Sequence, residues 1–232
     1  MRTTFGVKIT ACLAWYMEPP AFLTRCVESL RGLADELVAY DGAWDLWPDA
    51  RPFSSDDEYT AIHEAAESIR LPYTIYEPDT TWASQVEKRA ALMLGAGETG
   101  ADWLLVIDGD EWIETHHGAA VRAALESTPC DVATIMHKRV TGYDAVNTPG
   151  AIRRLYRANT GVTVDTAHNG YRTSDGRWLH GDSAAVRLEP ACDLSGMVLL
   201  HHEHNNRGVG RDRARQVYRQ ARLAQRTEAW HR

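Results

Sequence analysis

The sequence predicts an α/β protein with a mostly parallel sheet and helices on both faces, and three observations carry that expectation. Apolar runs of strand length alternate with amphipathic helical stretches through the first hundred residues. The run Trp103-Leu104-Leu105-Val106-Ile107 is continuously apolar, as in a strand buried on both faces. It ends in Asp108-Gly109-Asp110-Glu111, three carboxylates at a strand's C-terminal end, the edge where open α/β sheets bind ligands.

Each element follows in order. Val7 to Trp15 reads as a first strand. Pro19-Pro20 opens a helix with Phe22, Leu23, Cys26, Val27 and Leu30 on one face. Glu36 to Tyr40 reads as a second strand, stopped by Asp41-Gly42, and 43–53 as a loop carrying Trp44, Trp47, Pro48 and Pro52. Ser54 or Ser55 caps a helix to about Ile69, with Asp56, Asp57 and Glu58 in the first turn, where the helix dipole favours them. Tyr73 to Tyr76 is a third strand. Ser84-Gln85-Val86-Glu87 is a capping box; its helix should bury Val86, Ala90, Met93 and Leu94 and end at Gly95 or Gly97. With the strand at 103–107 this makes a nucleotide-binding half with crossover connections.

After Glu114 the rhythm changes. A helix is expected from about Gly118 to Leu125, and strands over Asp131 to His137, Arg153 to Arg157, Val162 to Asp165 and Met197 to His201. The tail from Arg211 should be helical, with Val217, Tyr218, Ala221 and Ala224 on one face. No repeat or linker interrupts the chain. One domain is expected: 1–114 as the nucleotide-binding half, 115–205 as a second half and 206–232 as a basic C-terminal helix.

The composition is that of an ordinary globular protein, with 44% hydrophobic and 25% charged residues, so disorder is not indicated. A net charge of -7 argues against a general nucleic-acid binder. The tail departs from that balance, with eight arginines from Arg207 onward against Asp212 and Glu228. Cys12, Cys26, Cys130 and Cys192 form no CxxC pair, which suits small core residues in a reducing compartment. Lys8 and Thr10 break the apolar stretch near the N-terminus, and no run reaches membrane-span length. A cytoplasmic location is the expectation.

Two constellations suggest chemistry. Asp108 and Asp110, one small residue apart, can share a hard cation such as Mg²⁺ or Mn²⁺, although Asp-Gly is also ordinary turn chemistry. Leu199-Leu200-His201-His202-Glu203-His204 sets three histidines after an apolar strand; strand alternation puts His202 and His204 on one face. Neither HExxH nor a cysteine partner supports zinc. Asp41, at a strand end, can accept hydrogen bonds from a nucleoside, and Tyr16 can stack on its base. Lys88 and Arg89 lie near a helix N-terminus and can neutralise a diphosphate; one of the two suffices. Glu111 can orient an acceptor or a metal-bound water, or cap the following helix. The tryptophans of 44–53 can form a sugar platform or pack locally. The tail arginines can fold over a diphosphate, meet an acidic acceptor, or line the solvated face of an ordinary helix.

Taken together, these features resemble the GT-A glycosyltransferases, in particular family-2-like members, over residues 7 to 205. Tyr16-Met17-Glu18 looks like that family's turn after the first strand, Leu37 to Gly42 like the strand ending in its nucleoside-binding aspartate, and Glu87 to Leu92 followed by Asp108-Gly109-Asp110 like its Arg-bearing helix and DxD signature. The resemblance implies a metal-dependent transferase moving a sugar from a nucleotide diphosphate donor, UDP on family grounds, to a hydroxyl acceptor such as a protein or glycan. It implies Mn²⁺ or Mg²⁺ bound by Asp110 directly, with Asp108 touching the ribose or the metal, and His202, with His204 in reserve, completing the site. Thr166 to Tyr171 looks like the family's acceptor-side segment, in which His168 binds the leaving diphosphate or helps deprotonate the acceptor. Two other readings stand beside this one. Haloacid-dehalogenase-type phosphatases also carry DxD after an apolar strand, but continue with Gly-Thr where Glu111-Trp112 stands here. A nucleotide-sugar-binding module without turnover is the non-enzymatic alternative. A sugar-nucleotide pyrophosphorylase is disfavoured, since no Gly-rich phosphate loop follows the first strand.

Overall fold

The computed structural model describes residues 6–114, 118–141, 144–166, 170–181, 187–202, 213–214, 216–218 and 220–221. Four parallel strands, β1 (Ile9–Ala14), β2 (Glu36–Tyr40), β3 (Tyr73–Tyr76) and β4 (Trp103–Asp108), lie in the order β3-β2-β1-β4. Helices α1 (Pro20–Glu28), α2 (Asp56–Ile69) and α3 (Gln85–Glu98) make the crossovers. Because the chain steps one way from β1 to β3 and then returns to β4 on the other side of β1, a topological switch point opens at the C-terminal ends of β1 and β4.

The continuous apolar character of these strands follows from burial on both faces. Ile9, Ala11 and Leu13 of β1 and Leu105 and Ile107 of β4 join Leu23, Cys26 and Val27 of α1 and Ala61, Ile62, Ala65 and Ala66 of α2 in one core. Cys12, Leu104 and Val106 point the other way, against Leu92, Met93 and Ala96 of α3. The period-two alternation thus feeds two cores rather than one core and solvent.

The second half is mixed. It comprises β5 (Glu111–Ile113), α4 (Gly118–Ser127), β6 (Val132–Thr141), β7 (Asp144–Arg157), β8 (Thr163–Thr166), β9 (Gly170–Arg172), β10 (Trp178–His180) and β11 (Cys192–His202). The large sheet continues β4-β7-β6-β11-β5, with β7 antiparallel to β4 and β6, β11 parallel to β6, and β5 antiparallel to β11. Strands β8, β9 and β10 form a separate small sheet that adds Val164, Tyr171 and Leu179 to the α3-side core.

Sheet order and chain connectivity together require curvature. Asp108 and Glu111 are three Cα steps apart, about 11 Å at full stretch. In a flat sheet, four strand spacings would separate β4 from β5, about 19 Å. The sheet therefore curls, bringing β11 and β5 round toward the end of β4, with the acidic turn spanning the gap.

Several expectations need correction. Helix α3 buries Lys88, Arg89, Leu92, Met93 and Ala96, whereas Leu94 is exposed; its inward stripe is rotated from the expected one because two basic side chains are drawn inside. The helix runs through Gly95 and Gly97 to Glu98, and Gly95 leaves room for Tyr40, whose hydroxyl would lie 2.6 Å from an added β-carbon. The capping box forms on one side as expected, with Ser84 Oγ accepting the Glu87 N–H at 3.0 Å, while Glu87 reaches Ala83 N–H at 2.6 Å rather than that of Ser84. Ser55 caps α2 through its backbone position alone, since Ser54 is drawn to Asp41. In the tail, residues 213–214, 216–218 and 220–221 are helical, and Val217 is exposed while Tyr218 packs inward. All four cysteines are free, Cys12 and Cys26 in the core. No helix among the described residues is long and apolar enough to cross a membrane.

Gly42 ends β2 with φ +101, and a β-carbon there would collide with the Pro52 carbonyl oxygen. Gly42→Ala is expected to destabilise the fold by roughly 2–3 kcal/mol, combining a disfavoured backbone angle with a backbone clash. Chemical denaturation of the variant beside the wild type checks this.

Candidate functional site

The acidic turn sits at the switch point and is shaped by close packing. A β-carbon at Gly109 would lie 2.9 Å from Glu18 Cγ and Leu23 Cδ2 and 3.3 Å from Trp15 Cβ, so this position tolerates only glycine without rearrangement. Asp110 and Glu111 are each only 2% exposed. Glu111 opens β5 and folds back on the turn: its Oε2 accepts the Asp108 N–H at 2.9 Å, and its Oε1 accepts from Arg154 at 2.5 Å. Arg154 belongs to β7, and its other terminal nitrogen lies 3.9 Å from Asp108 Oδ2. Arg89, from α3, donates to Asp108 Oδ1 at 2.5 Å and to the Tyr171 hydroxyl at 3.4 Å. Tyr171 is stacked on Tyr156 with centroids 4.6 Å apart.

Burial alone would lower the pKa of both arginines. For Arg89 the Asp108 charge outweighs it, and for Arg154 the charges of Glu111 and then Asp108 do, so both end above the ordinary value. Two fixed cations thus face two buried or half-buried carboxylates. Glu111 starts a strand and so does not cap the following helix, and its two oxygens are engaged by the turn and by Arg154. Arg89 lies beside the acidic turn, where it meets Asp108.

On the β1–β2 side, the three residues expected to meet a ligand make internal contacts. Asp41 is 0% exposed and accepts from the Ser54 N–H, from Ser54 Oγ at 2.7 Å and from the Tyr59 hydroxyl at 2.7 Å. The Tyr59 pKa rises through burial and then through that bond to Asp41. Tyr16 is 2% exposed, its hydroxyl accepts the Arg51 N–H at 3.1 Å, and its ring meets Trp47 edge-on at 6.1 Å. Lys88 is 1% exposed and donates to the carbonyl oxygens of Trp15 and, at 2.8 Å, Gly42. All three are enclosed, with polar atoms engaged by the chain's own groups. The side chain that emerges at the end of β1 is Met17, half-exposed with φ +51 and its N–H on Ser54 Oγ at 3.1 Å. Non-glycine residues held at positive φ concentrate at functional sites.

The tryptophan loop packs locally. Tyr218 from the tail lies 5.8 Å from the Trp44 ring and 5.7 Å from Trp47, with Ala214 alongside. Arg213 is exposed, while Arg207, Arg211, Arg215 and Arg219 lie outside the described residues.

His168 and His204 also lie outside the described residues, as do the side chains of His201 and His202. The backbone of β11 is described, and its register pairs His201 with Glu111 and His202 with Val140. The histidine-bearing end of β11 therefore runs beside the acidic turn. Among the described residues, no group of three His, Cys, Asp or Glu side chains is placed to hold a metal ion. Asp108 fits a metal ligand poorly, because Arg89 and Arg154 already compensate its charge. Asp110, beside the end of β11, is the carboxylate whose position suits one. One residue of consequence escaped the sequence reading, Arg154. An arginine in a strand carries no motif; only strand pairing brings Arg154 to the site.

No protein-family model and no curated protein matches the chain. Among solved structures it is similar to residues 1–349 of S. aureus TarS in complex with UDP-GlcNAc, with TM-score 0.49 and 16% identity, covering 66% of this chain and 46% of that one. The same fragment in complex with UDP gives TM-score 0.48 at 15% identity, covering 66% and 48%. A further S. aureus TarS structure gives TM-score 0.48 at 15% identity, covering 66% and 29%. The match spans less than half of each of those chains.

Proposed function

We propose that this protein is a GT-A-type glycosyltransferase that moves a sugar from a nucleotide diphosphate donor, UDP first among those to test, to a hydroxyl acceptor. One observation carries the reading. The Asp108-Gly109-Asp110 turn closes β4 at the switch point of a β3-β2-β1-β4 sheet, and the histidine-bearing end of β11 pairs beside it. A divalent cation, Mn²⁺ or Mg²⁺, held by Asp110 and His202, would supply positive charge against the departing diphosphate. The chain's own part is to hold the turn rigid through Arg89 and Arg154 and to seat the donor near Asp41, Tyr16 and Lys88. His168 is proposed on the acceptor side.

The phosphatase alternative asks Asp108 to act as a nucleophile, and its pairing with Arg89 at 2.5 Å disfavours that role. Thermal-shift measurements with UDP, GDP, CDP and dTDP, each with and without Mn²⁺, test the proposal. A nucleotide present at about 100 times its Kd adds about 2.7 kcal/mol by mass action. For a domain of this size that raises Tm by roughly 5–11 °C. Donor hydrolysis with Mn²⁺ then separates an active transferase from a binding module. Free phosphate from simple phosphomonoesters, without any nucleotide-induced shift, would overturn the proposal in favour of a phosphatase.

A further inference from the structure

We infer that Arg154 is a positioning residue that locks the acidic turn into a closed ring and so fixes where Asp110 is presented. The ring has three links. The Asp108 N–H is donated to Glu111 Oε2 at 2.9 Å. Glu111 Oε1 accepts from Arg154 at 2.5 Å, and the same guanidinium reaches back to within 3.9 Å of Asp108 Oδ2. Two carboxylates separated by a two-residue turn would repel one another and splay it. A planar fork between them converts that repulsion into a brace, a geometry that Arg offers and Lys does not.

The brace arrives from elsewhere in the fold. Arg154 lies on β7, which is hydrogen-bonded to β4 through Leu105 and Leu155. The strand that carries the acidic turn and the strand that holds it are thus fixed to one another a few residues from the site. Arg89 grips Asp108 Oδ1 from α3, on the opposite side, but does not reach Glu111 in the hydrogen bonds that define the ring. Arg154 therefore has a task that Arg89 does not share: it holds the two ends of the turn at once. The significance of this clamp for catalysis rests on the sugar-transfer reading, but the clamp itself can be tested without it.

The test is amide hydrogen exchange at Asp108 in the 232-residue chain, with the Cys12 amide in β1 as a control for global opening. Arg154→Met should speed exchange at Asp108 by at least about tenfold while leaving Cys12 within about twofold. Glu111→Gln breaks the same ring at another link and should do the same. The double variant should exchange no faster than the faster single variant, since a ring broken once is open. Arg154→Lys should fall between wild type and Arg154→Met. Should Arg154→Met fail to fold, Glu111→Gln and Arg154→Lys carry the same comparison. Wild-type exchange at Asp108 in the folded variants, or effects that multiply in the double variant, would overturn the assignment.

If the protein binds a nucleotide diphosphate, Arg154→Met should also lower kcat for transfer by roughly 10–100-fold with KM for the donor little changed. A raised KM with unchanged kcat would mean that Arg154 touches the donor directly, which also overturns the assignment. A wild-type chain that binds none of the nucleotides sinks the transferase reading alone; Asp108 exchange still decides the clamp.

Discussion

Asp110→Asn is expected to reduce sugar transfer by roughly 10²–10³-fold while leaving the melting temperature close to wild type. The substitution is nearly isosteric, so Gly109 stays wedged against Trp15, Glu18 and Leu23 and the turn keeps its shape. Arg89 and Arg154 keep their partners, because neither takes Asp110 among its ion pairs. What is lost is one negative charge at a site only 2% exposed, where electrostatic interactions are strong because water is largely excluded. An amide binds a hard divalent cation far less well than a carboxylate does. The Mn²⁺-dependent part of any UDP thermal shift should vanish together with the rate. Initial rates of UDP-sugar hydrolysis and transfer, with the melting temperature as a fold control, read both effects. A variant that keeps the wild-type rate and the wild-type Mn²⁺ response would remove Asp110 from the site.

Lys88→Met should have the largest effect on stability, roughly 3 kcal/mol and a melting temperature lower by roughly 6–12 °C. Lys88 is 1% exposed, and its ammonium ties the carbonyl of Trp15, just after β1, to that of Gly42, just after β2. Removing the charge leaves both carbonyls to find new partners inside the protein, and the cost of unpaired buried groups exceeds the gain from one more apolar side chain. Methionine fills a similar volume, so the loss reads the hydrogen bonds rather than a cavity. Calorimetry of the variant measures it. If the melting temperature stays within about 2 °C of wild type, water must replace the ammonium and the cross-tie is dispensable.

How much of this was legible in the sequence depended on whether the signal was local. The four parallel strands and three crossover helices could be read because buried strands leave continuous apolar runs and the helices have stops and caps of their own. Strand β5 went unread because three residues carry no periodicity. In β7 only the Arg153 to Arg157 end was legible, since Pro149 and Gly150 interrupt the strand pattern ahead of it, although the strand runs from Asp144. The small sheet of β8, β9 and β10 was half-seen for the same reason, its strands being three or four residues long.

At the site, the spacing of Asp108 and Asp110 at a strand end announced itself, and Arg89 followed from its helix. Asp41, Tyr16 and Lys88 lie at the edge that the sequence indicates, but their burial and internal partners were not legible there. Whether a charged side chain at a strand end faces ligand or is absorbed by its own fold depends on partners such as Ser54, Tyr59 and the Trp15 carbonyl, which arrive from other segments. Arg154 was invisible because its importance is created by strand pairing.

The pairing of Glu111 with His201 joins positions about 90 residues apart in the chain. While the polypeptide is being made, the N-terminal parallel strands can assemble early, but the acidic turn has no neighbour on its far side until β11 has been synthesised. Closing so long a loop is entropically slow, so the cleft should be the last region to mature during biogenesis. A nascent chain halted after β7 but before Cys192 would lack the strand that pairs with β5.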